Sequence, residues 1–358
     1  VIGTSGWAAT KRRVIRASCS AAAAISADVR QARELREKFQ GLAKARAAQV
    51  GSGSNADRLD ALADALRIWP DHAELEAEYR KAFEAEPTLE VAVTDVAAPP
   101  GPWLRSPADD RIARLLFRPV LADDSEEARK GERPGQLARE VESTDLGRRL
   151  VVHVRAGLPW SDGSRDVSAL DVARSFVDRC DPRDPAKYQA RWADLLDRAR
   201  PLDERQVELQ LRRPLLRPAF WLDAPVGAAH AGADGRIVLS AKERRLVGSG
   251  PFVCAAASPN AIDLRATADA SGEASTSKVR RLREVRYGAP SAAMAAFLRG
   301  DAAMLGHVPP DQASKLAANP DVKIGTYARP AVHVLALDGR NPILRNRTLR
   351  RALSYAID

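Results

Sequence analysis

Residues 148–180, RRLVVHVRAGLPWSDGSRDVSALDVARSFVDRC, constrain the fold of this chain more than any other stretch. Leu150, Val152 and Val154 fall at every second position, which predicts a strand with one buried face. The sequence Trp-Ser-Asp-Gly at 160–163 predicts a turn, because its glycine can take a positive φ. A strand and a turn are therefore expected in quick succession.

A helix is predicted directly after this turn. Ser168 and Asp171 have the spacing of a capping box, in which side-chain oxygens accept hydrogen bonds from the first backbone N–H groups of a helix. One apolar helix face follows from the spacing of Ala169, Val172, Ala173 and Phe176. Asp181 precedes a proline, which ends the helix. The whole stretch predicts a strand–turn–helix unit of a mixed α/β domain and indicates no chemistry.

The same stretch resembles the family 5 extracellular solute-binding proteins, the peptide-binding receptors of ABC importers. Their pattern reads LR.GVKWSDG and then PVTAEDVAFSF, and residues 154–176 of this chain read VRAGLPWSDGSRDVSALDVARSF. Four further segments resemble blocks of that family in the same order: 206–214, 247–252 (VGSGPF), 282–301 and 346–358 (NRTLRRALSYAID). The order of five blocks makes the resemblance specific.

The resemblance implies an α/β, two-lobed fold like the type II periplasmic binding proteins, with the first lobe and the start of the second, preceded by an α-helical N-terminal region. The expected segments are a polar helical and linker segment (1–54), a helical hairpin (55–88), solute-binding lobe I (89–305) and the start of lobe II (306–358). Because family members continue for another two hundred residues or so, we expect this chain to be truncated at its C-terminus.

Smaller features refine this division. Apolar spacing in 57–87 predicts two helices, weakly similar to one tetratricopeptide repeat. By resemblance, a hinge falls near 304–309, and lobe II begins with strands near 322–327 and 331–337. An apolar stripe over 349–357 predicts a helix at the end of the chain.

Charge and composition exclude several protein classes. The net charge is +9, but basic residues are scattered among nearly as many acidic ones, so nucleic acid is not an expected partner. The sequence contains no run of about eighteen apolar residues, so no membrane span is predicted. Cys19 follows small residues as in a lipoprotein signal, but Arg16 and the missing apolar run disfavour that interpretation.

The sequence indicates no enzyme. G-x-S-x-G, H-E-x-x-H, Walker and G-x-G-x-x-G motifs are absent, and the five histidines and three cysteines lack ligand spacing. We therefore expect no catalytic residues, no metal and no cofactor. A hydrolase on a receptor scaffold would need a clustered acid–base pair, and the sequence offers none.

The resemblance implies six candidate ligand-binding positions: Trp103, Arg105, Asp109, Trp192, His307 and His333. The loop 103–109 matches the segment that lines the cleft on the first lobe. Trp192 is expected to supply an aromatic wall, whereas His307 falls at the hinge and His333 in the strand after it. A purely structural or surface role is the alternative for each.

The expected function is that of a substrate-binding component of an ABC-type importer. It would bind peptides or similar small solutes by hinge closure, as a monomer outside the cytoplasm (periplasmic or extracytoplasmic), and deliver them to a membrane permease. A solute-sensing or regulatory protein with an N-terminal helical interaction module is the alternative. Peptide, nickel chelate and oligosaccharide all remain open as ligands.

Overall fold

A computed structural model of the chain describes residues 29–48, 55–97, 100–103, 106–122, 130, 135–232, 236–240, 243–267, 278–320, 322–326, 337–338 and 340–356. The chain divides into two compact units, Val1–Gln312 and Ala313–Asp358.

The first unit begins with three helices, α1 (Val29–Ala48), α2 (Asn55–Ile68) and α3 (Ala73–Ala85). The last two confirm the helices predicted in 57–87. The buried faces of the three helices form a hydrophobic cluster that is separate from the main core. This cluster consists of Ala43, Leu59, Leu62, Ala65, Leu66, Leu75 and Ala82. We refer to α1–α3 as the N-terminal helical module.

Sheets and helices alternate in the rest of the chain. The strands of the described residues are, in chain order, β1 (Thr88–Val93), β2 (Ala138–Thr144), β3 (Arg149–Val154), β4 (Leu196–Pro201), β5 (Gln206–Leu211), β6 (Arg236–Ser240), β7 (Glu243–Leu246), β8 (Phe252–Ala257), β9 (Ala261–Ala266), β10 (Arg281–Arg286) and β11 (Met304–Leu305). The remaining helices of these residues are α4 (Pro107–Leu116), α5 (Ala169–Asp178), α6 (Ala190–Leu195), α7 (Pro290–Arg299), α8 (Pro310–Ala317) and α9 (Arg347–Ala356), with short 3₁₀ turns at Asp145–Gly147 and Pro218–Asp223.

Three sheets organise these strands. The first has the order β11-β1-β10-β9-β8, in which β1 runs parallel to both of its neighbours and the other pairs are antiparallel. The second is antiparallel with the order β2-β3-β5-β4, and β6 pairs with β7. The mixed α/β class expected from the sequence is confirmed.

One continuous core joins the two larger sheets through α4 and α5. Leu150, Val152 and Val154 are buried as the alternation predicts, and they cluster with Phe176 of α5 and Ile262 of the first sheet. Apolar burial of this extent is the main stabilising term of such a unit, at about 25 cal/mol for each Å² removed from water.

The Trp-Ser-Asp-Gly turn is anchored by a buried carboxylate. Asp171 accepts hydrogen bonds from Arg165 at 2.6 and 2.8 Å, from the backbone of Ser168 at 2.8 Å and from the backbone of Ala229 at 2.7 Å. The indole of Trp160, 1 % exposed, reaches the same carboxylate at 3.4 Å. The capping box is thus confirmed, and its aspartate also joins the turn to a distant loop.

The same hydrogen bonds change the pKa of Asp171. Burial opposes ionisation of Asp171, but the hydrogen bonds from Arg165, Ala229 and Ser168 outweigh it and hold its pKa below the usual range. Gly163 has a φ of +69°, the positive value that the turn was expected to require. Both observations support a structural role for residues 160–163.

The second unit departs from the sequence prediction in one element. Residues 322–326, expected to form a strand, contain no strand in the structure, and 331–336 lie outside the described residues. A strand requires a hydrogen-bonded partner, which an apolar stretch does not specify by itself. The predicted terminal helix is present as α9, in which no residue is buried.

Candidate functional site

Of residues 103–109, expected to line the ligand cleft, 106–109 lie at the start of α4. Ser106 occupies the N-cap and its hydroxyl accepts a hydrogen bond from the backbone N–H of Asp109 at 3.1 Å. The same hydroxyl donates to the Asp109 carboxylate at 3.0 Å. Asp109 is 6 % exposed, so it offers little surface to a solute.

Trp103, just before this cap, is surrounded by cations. The guanidinium carbon of Arg179 lies 5.1 Å from its ring centroid, and the Lys187 ammonium lies 5.3 Å from the same centroid. Both distances are in the range of cation–π attraction. The ring is 9 % exposed. A loop of the first sheet and the end of α5 are thereby held together around one indole.

Arg179 is the unusual group of this cluster, because its guanidinium is fully buried. It donates to the backbone carbonyls of Ser175 and Pro225 at 2.6 and 2.5 Å, and it also lies over the Phe176 ring. Burial, together with the charge of nearby Arg191, lowers the pKa of Arg179 to about 10. Its Nε atom has no hydrogen-bond partner among the described residues.

A small depression adjoins Trp103. Its lining includes Arg174, Asp178, Lys187 and the loop 227–232. Lys187 is paired with Asp178 at 2.9 Å. The depression holds only about 20 Å³, so it can receive one group of a solute and not a whole solute. We call Trp103, Arg174, Asp178, Arg179 and Lys187 the Trp103 cluster.

Trp192, expected as an aromatic wall, is a core residue in this structure. Its ring is 1 % exposed and packs edge-on against Phe176 and Trp221, with centroids 4.6 and 6.2 Å away. Such covered rings stabilise a fold by burial and edge-to-face contact. The ring presents no surface to a solute, although Phe176 and Arg179 connect it to Trp103.

The other candidates are not brought to this cluster. His307 is exposed in the segment that follows β11. Arg105 and His333 lie outside the described residues. Of the six positions, the structure therefore joins Trp103, Asp109 and Trp192 in one region of the first unit.

Sequence reasoning missed Arg179 and Lys187. Arg179 directly follows α5, at a position where a basic residue is ordinary for a helix C-terminus. Nothing local distinguishes a buried arginine from the many exposed ones in this chain. The only available signal was the tryptophan that it stacks on, and that residue is far away in sequence.

The described residues contain neither a cluster of metal ligands nor a membrane-spanning helix. Across the part of the chain that is described, no group of three or more His, Cys, Asp or Glu residues could hold a metal ion. Within that same part, every helix is too short or too polar to cross a lipid bilayer.

The family assignment rests on a sequence model. Residues 132–358 match the model of the bacterial extracellular solute-binding proteins, family 5. The chain belongs to this family. Its matched region contains the second sheet, the loop of Gly248 and Gly250, and helix α9, so the family resemblance drawn from those segments is confirmed.

Solved structures of similar fold support this family 5 assignment. MoaA of A. tumefaciens R10, solved with mannopinic acid, has a TM-score of 0.59 and 19 % identity over 76 % of this chain. NikZ of Campylobacter jejuni, solved with Ni(L-His), has 0.56 and 19 % over 76 %. A dipeptide-binding protein of Pseudoalteromonas sp. SM9913, solved with Met-Leu, has 0.53 and 18 % over 65 %. Identities this low show a shared fold, that of the type II periplasmic binding proteins.

The family 5 chain spans 56, 53 and 50 % of the lengths of these three proteins, respectively. Sequence comparison with curated proteins finds no significant match.

Family and fold are those of substrate-binding proteins, a class distinct from enzymes, and they support a substrate-binding role.

Proposed function

We propose that this chain is the substrate-binding component of an ABC-type importer and binds peptides or similar small solutes by closure of two lobes. The match of residues 132–358 to family 5 is the observation that carries this proposal. In such a receptor, a solute that contacts both lobes stabilises the closed state through its differential contacts. The proposal places the protein outside the cytoplasmic membrane, as a monomer that meets a membrane permease.

The Trp103 cluster is the proposed part of the binding surface on the first unit. Two cations, Arg174 and Lys187, and one carboxylate, Asp178, line the depression, and Arg179 lies buried against the Trp103 ring. An excess of positive charge favours an anionic group on the solute. Both mannopinic acid and the dipeptide Met-Leu carry a carboxylate, and they are solutes of structurally similar proteins.

Calorimetric titration of the purified chain with dipeptides, mannopinic acid and Ni(L-His) tests this proposal. We expect micromolar or tighter binding of a carboxylate-bearing solute. Lys187→Met should weaken that binding about tenfold, because one charge-assisted contact is worth roughly 1.5 kcal/mol or more. Lys278→Met is the matched control, since Lys278 is exposed and lies outside the Trp103 cluster. A flat titration with every solute contradicts the binding role, and equal loss in both variants contradicts the assigned surface.

A solute-sensing or regulatory role is the second candidate. The N-terminal helical module has its own hydrophobic cluster, as an interaction module would. Affinity capture with the immobilised full chain, which includes the module, distinguishes the two candidates. A stable partner lost when exposed residues of α1 are changed supports signalling, and capture of a permease through the rest of the chain supports transport.

A further inference from the structure

The N-terminal helical module covers a polar face of the first sheet. In β1, Leu89 and Val91 face the main core, whereas Thr88 and Glu90 point to the opposite side. Register pairs Thr88 with Arg281 and Glu90 with Arg283 of β10. The module therefore meets charged side chains, and its apolar cluster stays separate from the core of the sheets.

Ion pairs hold the module against this face. Arg281, with 6 % of its side chain exposed, contacts Asp263 on the neighbouring strand and Asp60 of α2, the latter at 3.2 Å. Arg67 of α2 lies 3.3 Å from Asp301, just before β11. Between these contacts a space remains between the module and the sheet.

A cavity of about 330 Å³ occupies that space. Its walls come from α1, α2 and α3 of the module and from β1 and β10 of the sheet. This volume is at the lower end of the range for small-molecule sites in proteins. The charged side chains that line it are Arg46, Arg67, Arg283, Asp60, Asp64 and Glu90.

The charges of this lining are balanced, with three cations and three carboxylates. Arg46 and Arg67 share Asp64 at 2.6 and 2.7 Å, so their partners are close. Arg283 is held more loosely, at 3.5 Å from Asp60 and 3.6 Å from Glu90. Arg283 lines the cavity together with these carboxylates, and its guanidinium has five N–H donors.

We propose that this cavity is a second ligand site, which takes a zwitterion of the size of a free α-amino acid. The carboxylate of the ligand pairs with Arg283, and its ammonium pairs with Glu90 and Asp60. A net anion or cation would leave the balanced lining with an excess of charge, whereas a zwitterion matches both signs. Leu59, Ala63 and the Tyr79 ring supply apolar lining for a side chain.

Bound zwitterion and plain hydration make different predictions. The same volume would accommodate about ten waters at roughly 30 Å³ each. Waters would give no heat on titration with amino acids. The site also lies apart from the Trp103 cluster, since the two linings share no residue.

The test is calorimetric titration of the full chain with each of the twenty free amino acids. At least one should bind with a Kd below 1 mM, roughly the weak end of specific recognition. Arg283→Met should weaken it at least tenfold. Arg286→Met, on the same strand but exposed and outside the lining, is the matched control and should stay within twofold.

A second variant distinguishes loss of binding from loss of folding. Ala63→Leu fills the cavity from α2 without altering any charge and should abolish binding, with the circular dichroism and melting curve retained. Lys187→Met should leave unchanged the amino-acid binding that Arg283→Met and Ala63→Leu remove, which separates this site from the proposed solute surface. Heat from no amino acid, or equal affinity in Arg283→Met and the parent, overturns the proposal.

Discussion

The sharpest prediction about stability concerns Gly248 and Gly250, because their α-carbons lie directly against the backbone at the end of α4. The N–H of Gly250 donates to the Leu116 carbonyl at 2.9 Å, and the N–H of Gly248 donates to the Ser161 hydroxyl at 3.0 Å. A Cβ added at Gly250 would lie 2.6 Å from the Leu116 carbonyl carbon and closer still to the Leu115 oxygen. A Cβ at Gly248 would press on the Leu116 oxygen.

The size of the effect follows from what must move. Overpacking against side chains typically costs about 1–3 kcal/mol, because rotamers can adjust. Here the neighbours are carbonyls at the C-terminal end of α4, which cannot rotate away without breaking hydrogen bonds. We therefore expect Gly248→Ala and Gly250→Ala each to lower the free energy of unfolding by about 3 kcal/mol, or Tm by about 5 °C.

Thermal unfolding followed by tryptophan fluorescence measures this effect. All six tryptophans lie in the first unit, so the signal reports that unit. Gly288→Ala is the matched control, because an added Cβ there meets nothing within 4 Å, and we expect a change of at most about 1 kcal/mol. A Tm within 2 °C of the parent for both Gly248→Ala and Gly250→Ala would refute the close approach of this loop to α4.

Two further predictions concern buried charges. Asp171→Ala should lower the free energy of unfolding at pH 7 by about 3–5 kcal/mol, because it leaves Arg165 and two backbone N–H groups without their acceptor. The folded-state pKa of Asp171 is depressed, so its contribution is complete above the ordinary value of 3.8 and is lost as the pH falls through the folded pKa. The difference in the free energy of unfolding between the parent and Asp171→Ala, measured in urea, should therefore become smaller below pH 3.8. A difference that grows there contradicts the hydrogen-bond network. Arg281→Met should speed limited proteolysis between the helical module and β1, with Arg286→Met as control, and unchanged cleavage would show that the Asp60 ion pair does not hold the module.

Local patterns were enough to locate several elements. The alternation of Leu150, Val152 and Val154 gave β3, and the capping box of Ser168 and Asp171 gave the start of α5. Such signals depend on neighbours along the chain, because caps and periodicity act within a few residues. The strand expected near 322–327 had no such second signal, and the described residues 322–326 form no strand.

The candidate site was much less accessible to sequence reasoning. Trp103 was selected through family resemblance, yet its cationic partners Arg179 and Lys187 were not, because arginine and lysine are common everywhere in this chain. Trp192 was expected to form an aromatic wall because the family resemblance implied it, whereas packing placed it in the core. Burial is a property of the assembled elements and not of residue type alone.

The sequence by itself determined the family and the strand–turn–helix unit of 148–180, since each is written in adjacent residues. Only the tertiary structure decided which charges meet: Arg281 with Asp60, and Arg179 with the face of Trp103. Those pairs join segments far apart in the chain, and their partners are fixed by how sheets and helices pack. The same packing left the charge-lined cavity beneath the N-terminal helical module, which no local pattern in the sequence indicates.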